Sequence, residues 1–139
     1  MNRNEIKSIL PHREPMLLID EAELGEDGKA RGRYTVRGDE WFLMGHFPGY
    51  PVVPGVIQCE MMAQACCVLL ADMLPGGRPL FAGMDKVRFR GQVLPGDTIE
   101  FVCGLEKRKH PFYFLSGAGY VKGRLCVSGE MTVTLQPAG

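Results

Sequence analysis

Residues 45–64 read GHFPGYPVVPGVIQCEMMAQ, and the fold turns on where this stretch changes character. Its first half carries Pro48, Pro51 and Pro54, with Gly45, Gly49 and Gly55 among them. Each proline fixes φ and removes a backbone donor, so the segment suits neither a helix nor a central strand. It should be a stiff, extended loop with His46 near its start. From Val56 the chain turns apolar and stays so to about Met73, where LPGGRP forbids a helix to continue. Apolar residues run all round that helix, so it must be buried on every side.

The flanking segments can do the burying. MLLIDEAEL (16–24) and KARGRYTV (29–36) read as strands separated by the turn GEDGK, and residues 4–10 make one short helical turn that stops at Pro11. After the helix the period becomes two. Ile99, Phe101, Cys103 and Leu105 share one face, as do Leu125, Val127, Met131, Val133 and Leu135. LPGD and VKGR are tight turns between strands. One long helix and about six strands predict an α+β layout, with a curved antiparallel sheet wrapped around the helix. A single domain over 1–139 accommodates this.

Composition removes several classes of function. Sixteen basic and sixteen acidic residues cancel, which argues against nucleic acid or an anionic membrane as partner. The apolar run from Val56 to Ala71 is interrupted by Gln58, Glu60 and Gln64 and falls short of a membrane span. The first residues lack the apolar core of a signal peptide, so a cytoplasmic protein is expected. Cys59, Cys66, Cys67, Cys103 and Cys126 are odd in number and form no C-x-x-C pair. They suit buried positions in a reducing compartment, and no metal-ligand spacing appears.

Four residues of the opening stretch carry chemistry. His46 sits in a loop stiff enough to aim a base. Gly55 enters the helix where backbone N–H groups lack partners, a ready site for an oxygen gaining negative charge. Glu60 and Gln64 are four apart and share a helix face with Val56, Ile57, Cys67 and Ala71. Apolar burial there would favour a carboxyl that keeps its proton and serves as an acid, with Gln64 orienting it. Together these are parts for removing a proton α to a carbonyl and expelling a β-hydroxyl as water. Two plainer alternatives stay open: a structural loop histidine, and a glutamate that caps or pairs with a buried arginine. Elsewhere, alternation puts Lys86, Arg88 and Arg90 on one strand face, where an acidic partner could dock. His12 and His110 lie beside prolines and turn residues and are expected to be structural.

The block GHFPGYPVVPG, with Glu60 fourteen residues after His46, resembles the active-site segment of the (3R)-3-hydroxyacyl-acyl-carrier-protein dehydratases, the FabZ group. LPHREPMLLID, LFAGMDKVRFRGQVLPGD and the closing strands extend the resemblance over almost the whole chain. The resemblance implies a hot-dog fold and a homodimer, with hexamers as trimers of dimers, in which the His of one chain and the Glu of the other share each site. It implies His46 as base, Glu60 as acid, Gly55 as the N–H that polarises the thioester carbonyl, and Gln64 as the brace of the carboxylate. A relative that also isomerises the double bond has Asp at the acid position, so Glu60 speaks for dehydration alone. Neither metal nor cofactor is implied, since the substrate arrives on the pantetheine arm of an acyl-carrier protein. Polyketide or aryl-polyene dehydratases, a hot-dog thioesterase and a silent acyl-binding module are the competing assignments. The chain departs from the family at Cys66, Cys67, LFAGM and Gly91.

Overall fold

The computed structural model describes residues 1–137, so positions 138 and 139 of the expected domain lie outside the described residues. Its elements follow the order α1 (Arg3–Ile6), β1 (Glu21–Leu24), β2 (Ala30–Thr35), a 3₁₀ turn (Trp41–Leu43), α2 (Gly55–Ala65), a second 3₁₀ turn (Cys66–Leu69), β3 (Arg78–Phe89), β4 (Thr98–Lys109), β5 (Phe112–Val121) and β6 (Arg124–Gln136). The strands form one antiparallel sheet in the order β1-β2-β4-β5-β6-β3. α2 lies across one face of the sheet, packed on β2, β4, β5 and β6. Gly32 in β2 permits this, because a Cβ there would stand 2.8 Å from the Cβ of Ala65. The α+β layout expected from the periodicities is thus the one found.

Three boundaries differ from expectation, each for a physical reason. The first strand begins at Glu21 rather than Met16. Leu17, Leu18 and Ile19 are buried, but the Gln64 side chain takes the Leu18 N–H at 2.7 Å and gives an N–H to the Met16 carbonyl at 2.8 Å. A side chain has replaced the strand partner. The α-helical geometry ends at Ala65, well before Met73, when the Cys66 N–H bonds the Ala63 carbonyl three residues back. The Cys66 and Cys103 thiols point at the Met62 carbonyl instead, at 3.4 and 3.6 Å. In β6, a bulge opposite Gly119 and Tyr120 sets Cys126 and Val127 both in the core, so Leu125 is not fully buried as expected.

Glu40 anchors the turn leading to His46. It is buried, and its carboxylate accepts from the Tyr34 hydroxyl at 2.7 Å and from the N–H groups of Arg37 and Gly38 at 2.9 and 2.8 Å. Burial pushes its pKa up, yet these donors outweigh burial and hold it below the usual glutamate value. A folded-state value below the unfolded one stabilises fully above the unfolded value, and the gain is lost as pH falls through the folded value. Glu40→Ala is therefore expected to cost about 1–3 kcal/mol at neutral pH, because Tyr34 and two N–H groups lose their acceptor. Urea midpoints of variant and parent should converge as the pH is lowered past the ordinary glutamate range.

Candidate active site

His46 follows the 3₁₀ turn, and its backbone is held at both ends. Its N–H bonds the Leu43 carbonyl at 3.2 Å, and its own carbonyl accepts the Val52 N–H at 2.8 Å. Nδ1 of the ring meets the Val52 carbonyl at 2.8 Å. A carbonyl can only accept, so Nδ1 carries the hydrogen and Nε2 is left with a free lone pair. The proline loop is closed by reciprocal bonds between Phe47 and Tyr50, each 2.9 Å, and tied to its neighbours by Val53 N–H to Val93 and Tyr50 hydroxyl to Gln92. The stiffness expected of this loop comes from these bonds as well as from its prolines.

Gly55 opens α2 after Pro54. The first carbonyl-directed bonds of the helix run from Ile57 and Gln58 back to Pro54, at 3.0 and 3.1 Å. Among the described residues the Gly55 N–H has no hydrogen-bond partner. The Phe89 ring lies against this residue so closely that a Cβ at 55 would sit 2.8 Å from two of its carbons.

Glu60 is less enclosed than the apolar helix pattern suggests. α2 buries Ile57, Cys59, Met61, Met62 and Ala65 under its own sheet, but Val56, Glu60 and Ala63 form the stripe the sheet does not cover. Val56 is 68% exposed. The Glu60 surroundings are correspondingly polar: Oε2 accepts from Gln64 Nε2 at 2.8 Å and stands 3.5 Å from His12 Nε2. No arginine pairs with it among the described residues, so the ion-pair alternative falls away. Gln64 is buried and spends its amide on Leu18, Met16 and Glu60 together. These bonds reach beyond the helix face, since they also hold the segment that follows His12.

Glu60, Gln64 and His12 open onto a cavity of about 200 Å³ whose remaining walls include Cys67, Leu70, Leu115 and Val133. Burial pushes the Cys67 thiol up to about 11, and Cys66, hydrogen-bonded with Cys103 and buried, is raised as well. The thiols near this cavity are therefore neutral, and the wall is effectively apolar. His46 and Gly55 are not among its lining residues. The structure thus groups Glu60 with Gln64 at the cavity, and leaves outside it His46, on the loop before α2, and Gly55, at the first position of that helix. Among the described residues no three His, Cys, Asp or Glu side chains converge to hold a metal, and no helix is long and apolar enough to cross a membrane.

The basic strand needs correction. A bulge between Asp85 and Arg88 interrupts the alternation, and Lys86 takes φ 53°, so regular alternation no longer aligns Lys86, Arg88 and Arg90. Lys86 pairs with Glu130 at 3.3 Å, and Arg90 lies beyond the end of β3. All three are exposed, but none lines the Glu60 cavity. His12, expected to be structural, stands 3.5 Å from Glu60, an approach that sequence patterns did not indicate beyond the flanking prolines of LPHREP.

A FabA-like domain model matches residues 10–130. The 3-hydroxyacyl-[acyl-carrier-protein] dehydratase FabZ of Clostridium beijerinckii is 43% identical, with 98% of this chain and 99% of that protein aligned. The chain belongs to the FabZ family. The Staphylococcus epidermidis FabZ is 44% identical over 97% of this chain and 95% of its own length. Among solved structures, the dehydratase heterocomplex ApeI:P of Xenorhabdus doucetiae matches with a TM-score of 0.78 at 24% identity, covering 95% of this chain and 90% of that one. A mutant of the fluoroacetyl-CoA-specific thioesterase FlK matches at 0.65 and 18% identity, covering 84% and 89%. At such identities these structures speak to the fold alone, which is the hot-dog.

Proposed function

We propose that the chain dehydrates (3R)-3-hydroxyacyl thioesters carried by acyl-carrier protein to trans-2-enoyl thioesters, as a step of fatty-acid biosynthesis. The observation that carries this is the Val52 carbonyl at His46 Nδ1, because it leaves Nε2 as a base in a rigid loop. Nε2 takes the proton from C2. The Gly55 N–H steadies negative charge building on the thioester oxygen. The C2–H electron pair forms the new double bond, the C3–O bond breaks, and Glu60 supplies the proton with which the hydroxyl leaves as water. Solvent returns the proton from His46 to Glu60. The chain's own residues supply every step, so the proposal calls for no metal or cofactor beyond the substrate's pantetheine arm.

The site is proposed to form across a homodimer, with hexamers as trimers of such dimers. β3 is an edge strand, hydrogen-bonded to β6 on one side, and it exposes Leu80, Phe81, Met84 and Phe89. Met44, Phe47, Tyr50 and Val56 are exposed around the His46 loop and the open helix stripe. Such an apolar edge and patch invite cover by another chain. A second copy seated there would bring its His46 loop toward the Glu60 cavity. The carrier protein, being acidic, suits the exposed basic residues Lys86, Arg88 and Arg90 as a docking region, although these no longer form one regular face. A reducing cytoplasm suits the five buried, unpaired cysteines.

The test is product mass after incubation with a 3-hydroxyacyl thioester on carrier protein. Loss of one water supports the assignment, whereas release of free acid and thiol would mean a thioesterase. Gly55→Ala gives a second check. Its methyl group must displace the Phe89 ring or the first helical turn, and a misplaced N–H donor should lower kcat about 10–100-fold. The unfolding midpoint should stay near that of the parent, because alanine is a good helix former.

A further inference from the structure

We infer that His12 is a positioning residue for Glu60, directing the acid's proton to Oε1, the carboxyl oxygen that no donor of the described residues engages. The inference rests on the dehydratase assignment for its consequence, but its geometry stands apart from it. His12 reaches Glu60 on a rigid frame. Arg13 bonds the carbonyls of Leu10, His12 and Lys7 at 3.0, 2.7 and 3.2 Å, and Gln64 holds Met16 and Leu18 a few residues on. The His12 and Glu60 side chains are both largely shielded, 19% and 22% exposed.

His12 Nε2 and Gln64 Nε2 approach the same oxygen, Oε2, at 3.5 and 2.8 Å. Among the described residues, Oε1 accepts no hydrogen bond from protein. The amide of Gln64 is a donor at that atom, and His12 Nε2 facing a carboxylate carries its hydrogen as well. His12 Nδ1 is then the bare ring nitrogen, and it is buried with no hydrogen-bond partner among the described residues. Gln64 donates a hydrogen bond to Oε2 and His12 Nε2 stands within ion-pair distance of the same atom, so a proton on that oxygen would be crowded by both. The acid form of Glu60 therefore carries its proton on Oε1, the atom free to meet a substrate hydroxyl. Gln64 alone would leave the carboxyl free to turn about its single bond to that amide; the imidazole is the second point that fixes the plane.

His12→Phe keeps a planar aromatic ring and removes the donor, while His12→Gln places an amide N–H near the Nε2 position and His12→Asn places one near Nδ1. His12→Phe should lower kcat about tenfold with KM within about twofold. His12→Gln should recover most of the loss and His12→Asn should not. On a Glu60→Gln background, His12→Phe should have no further effect on rate. A urea double-mutant cycle across His12→Phe and Glu60→Gln reads the contact itself whatever the activity, and non-additivity is expected. Additive unfolding energies, a His12→Phe variant with parental kcat, or rescue by Asn in place of Gln would each overturn the inference. If the parent protein dehydrates nothing while the cycle is non-additive, the positioning contact stands and the dehydratase assignment falls.

Discussion

His46→Ala is expected to lower kcat by on the order of 10³-fold, with the enoyl product almost absent from the mass spectrum. The size of the effect follows from what the ring does and does not touch. Its side-chain partners in the fold are the Val52 carbonyl and the stacked ring of Phe47, centroids 4.2 Å apart. Both lie in the same loop, whose backbone bonds to Leu43, Val52 and Val93 do not involve the imidazole. Loss of the ring should therefore leave the unfolding midpoint within about 1 kcal/mol of the parent, as for other partly exposed sites. KM should change little, because a base that engages C2 in the transition state contributes little to ground-state binding. A variant that kept its rate within tenfold would move the base elsewhere in the chain.

The features legible in the sequence are those that local chemistry determines. Prolines at 48, 51 and 54 made the loop, and the apolar run after them made the buried helix, because neither depends on a distant residue. The alternation of Ile99, Phe101 and Cys103 survived into the core for the same reason. What failed to show depends on contacts between distant segments. The delayed start of β1 results from Gln64, forty-six residues from Leu18, taking the place of a strand. The bulges in β3 and β6 arise where partner strands must shift register, and no residue type announces them. Glu60 looked buried because helix periodicity cannot tell which stripe its own sheet leaves open. The approach of His12 to Glu60 was not legible because it exists only after the N-terminal segment is folded onto α2.

That open stripe leads to the second large effect. Mixing His46→Ala subunits with Glu60→Ala subunits, each inactive alone, should restore about a quarter of parental activity after subunit exchange. If the two residues serve the same site from different chains, a mixed dimer holds one intact site and one doubly broken site. Random exchange makes half the dimers mixed, each with one of two sites working, and the quarter follows. If each chain instead supplied both residues to its own site, every site in every dimer would lack one residue, and mixing would restore nothing. The cavity geometry favours the shared arrangement, because Glu60 lines it and His46 of the same chain does not. The exposed edge of β3 favours it too, since a carboxyl left on the uncovered face of a core helix, beside an unpartnered apolar edge, suits an interface better than solvent. Restoration should depend on exchange: mixing under conditions that keep the starting oligomers intact should leave activity at the level of the separate variants, and brief dissociation with mild urea should raise it toward the quarter. Activity that appeared without exchange would point to one variant retaining function. Activity still absent after exchange, with mixed oligomers demonstrated by native mass spectrometry, would rule out the shared site and place both residues within a single chain.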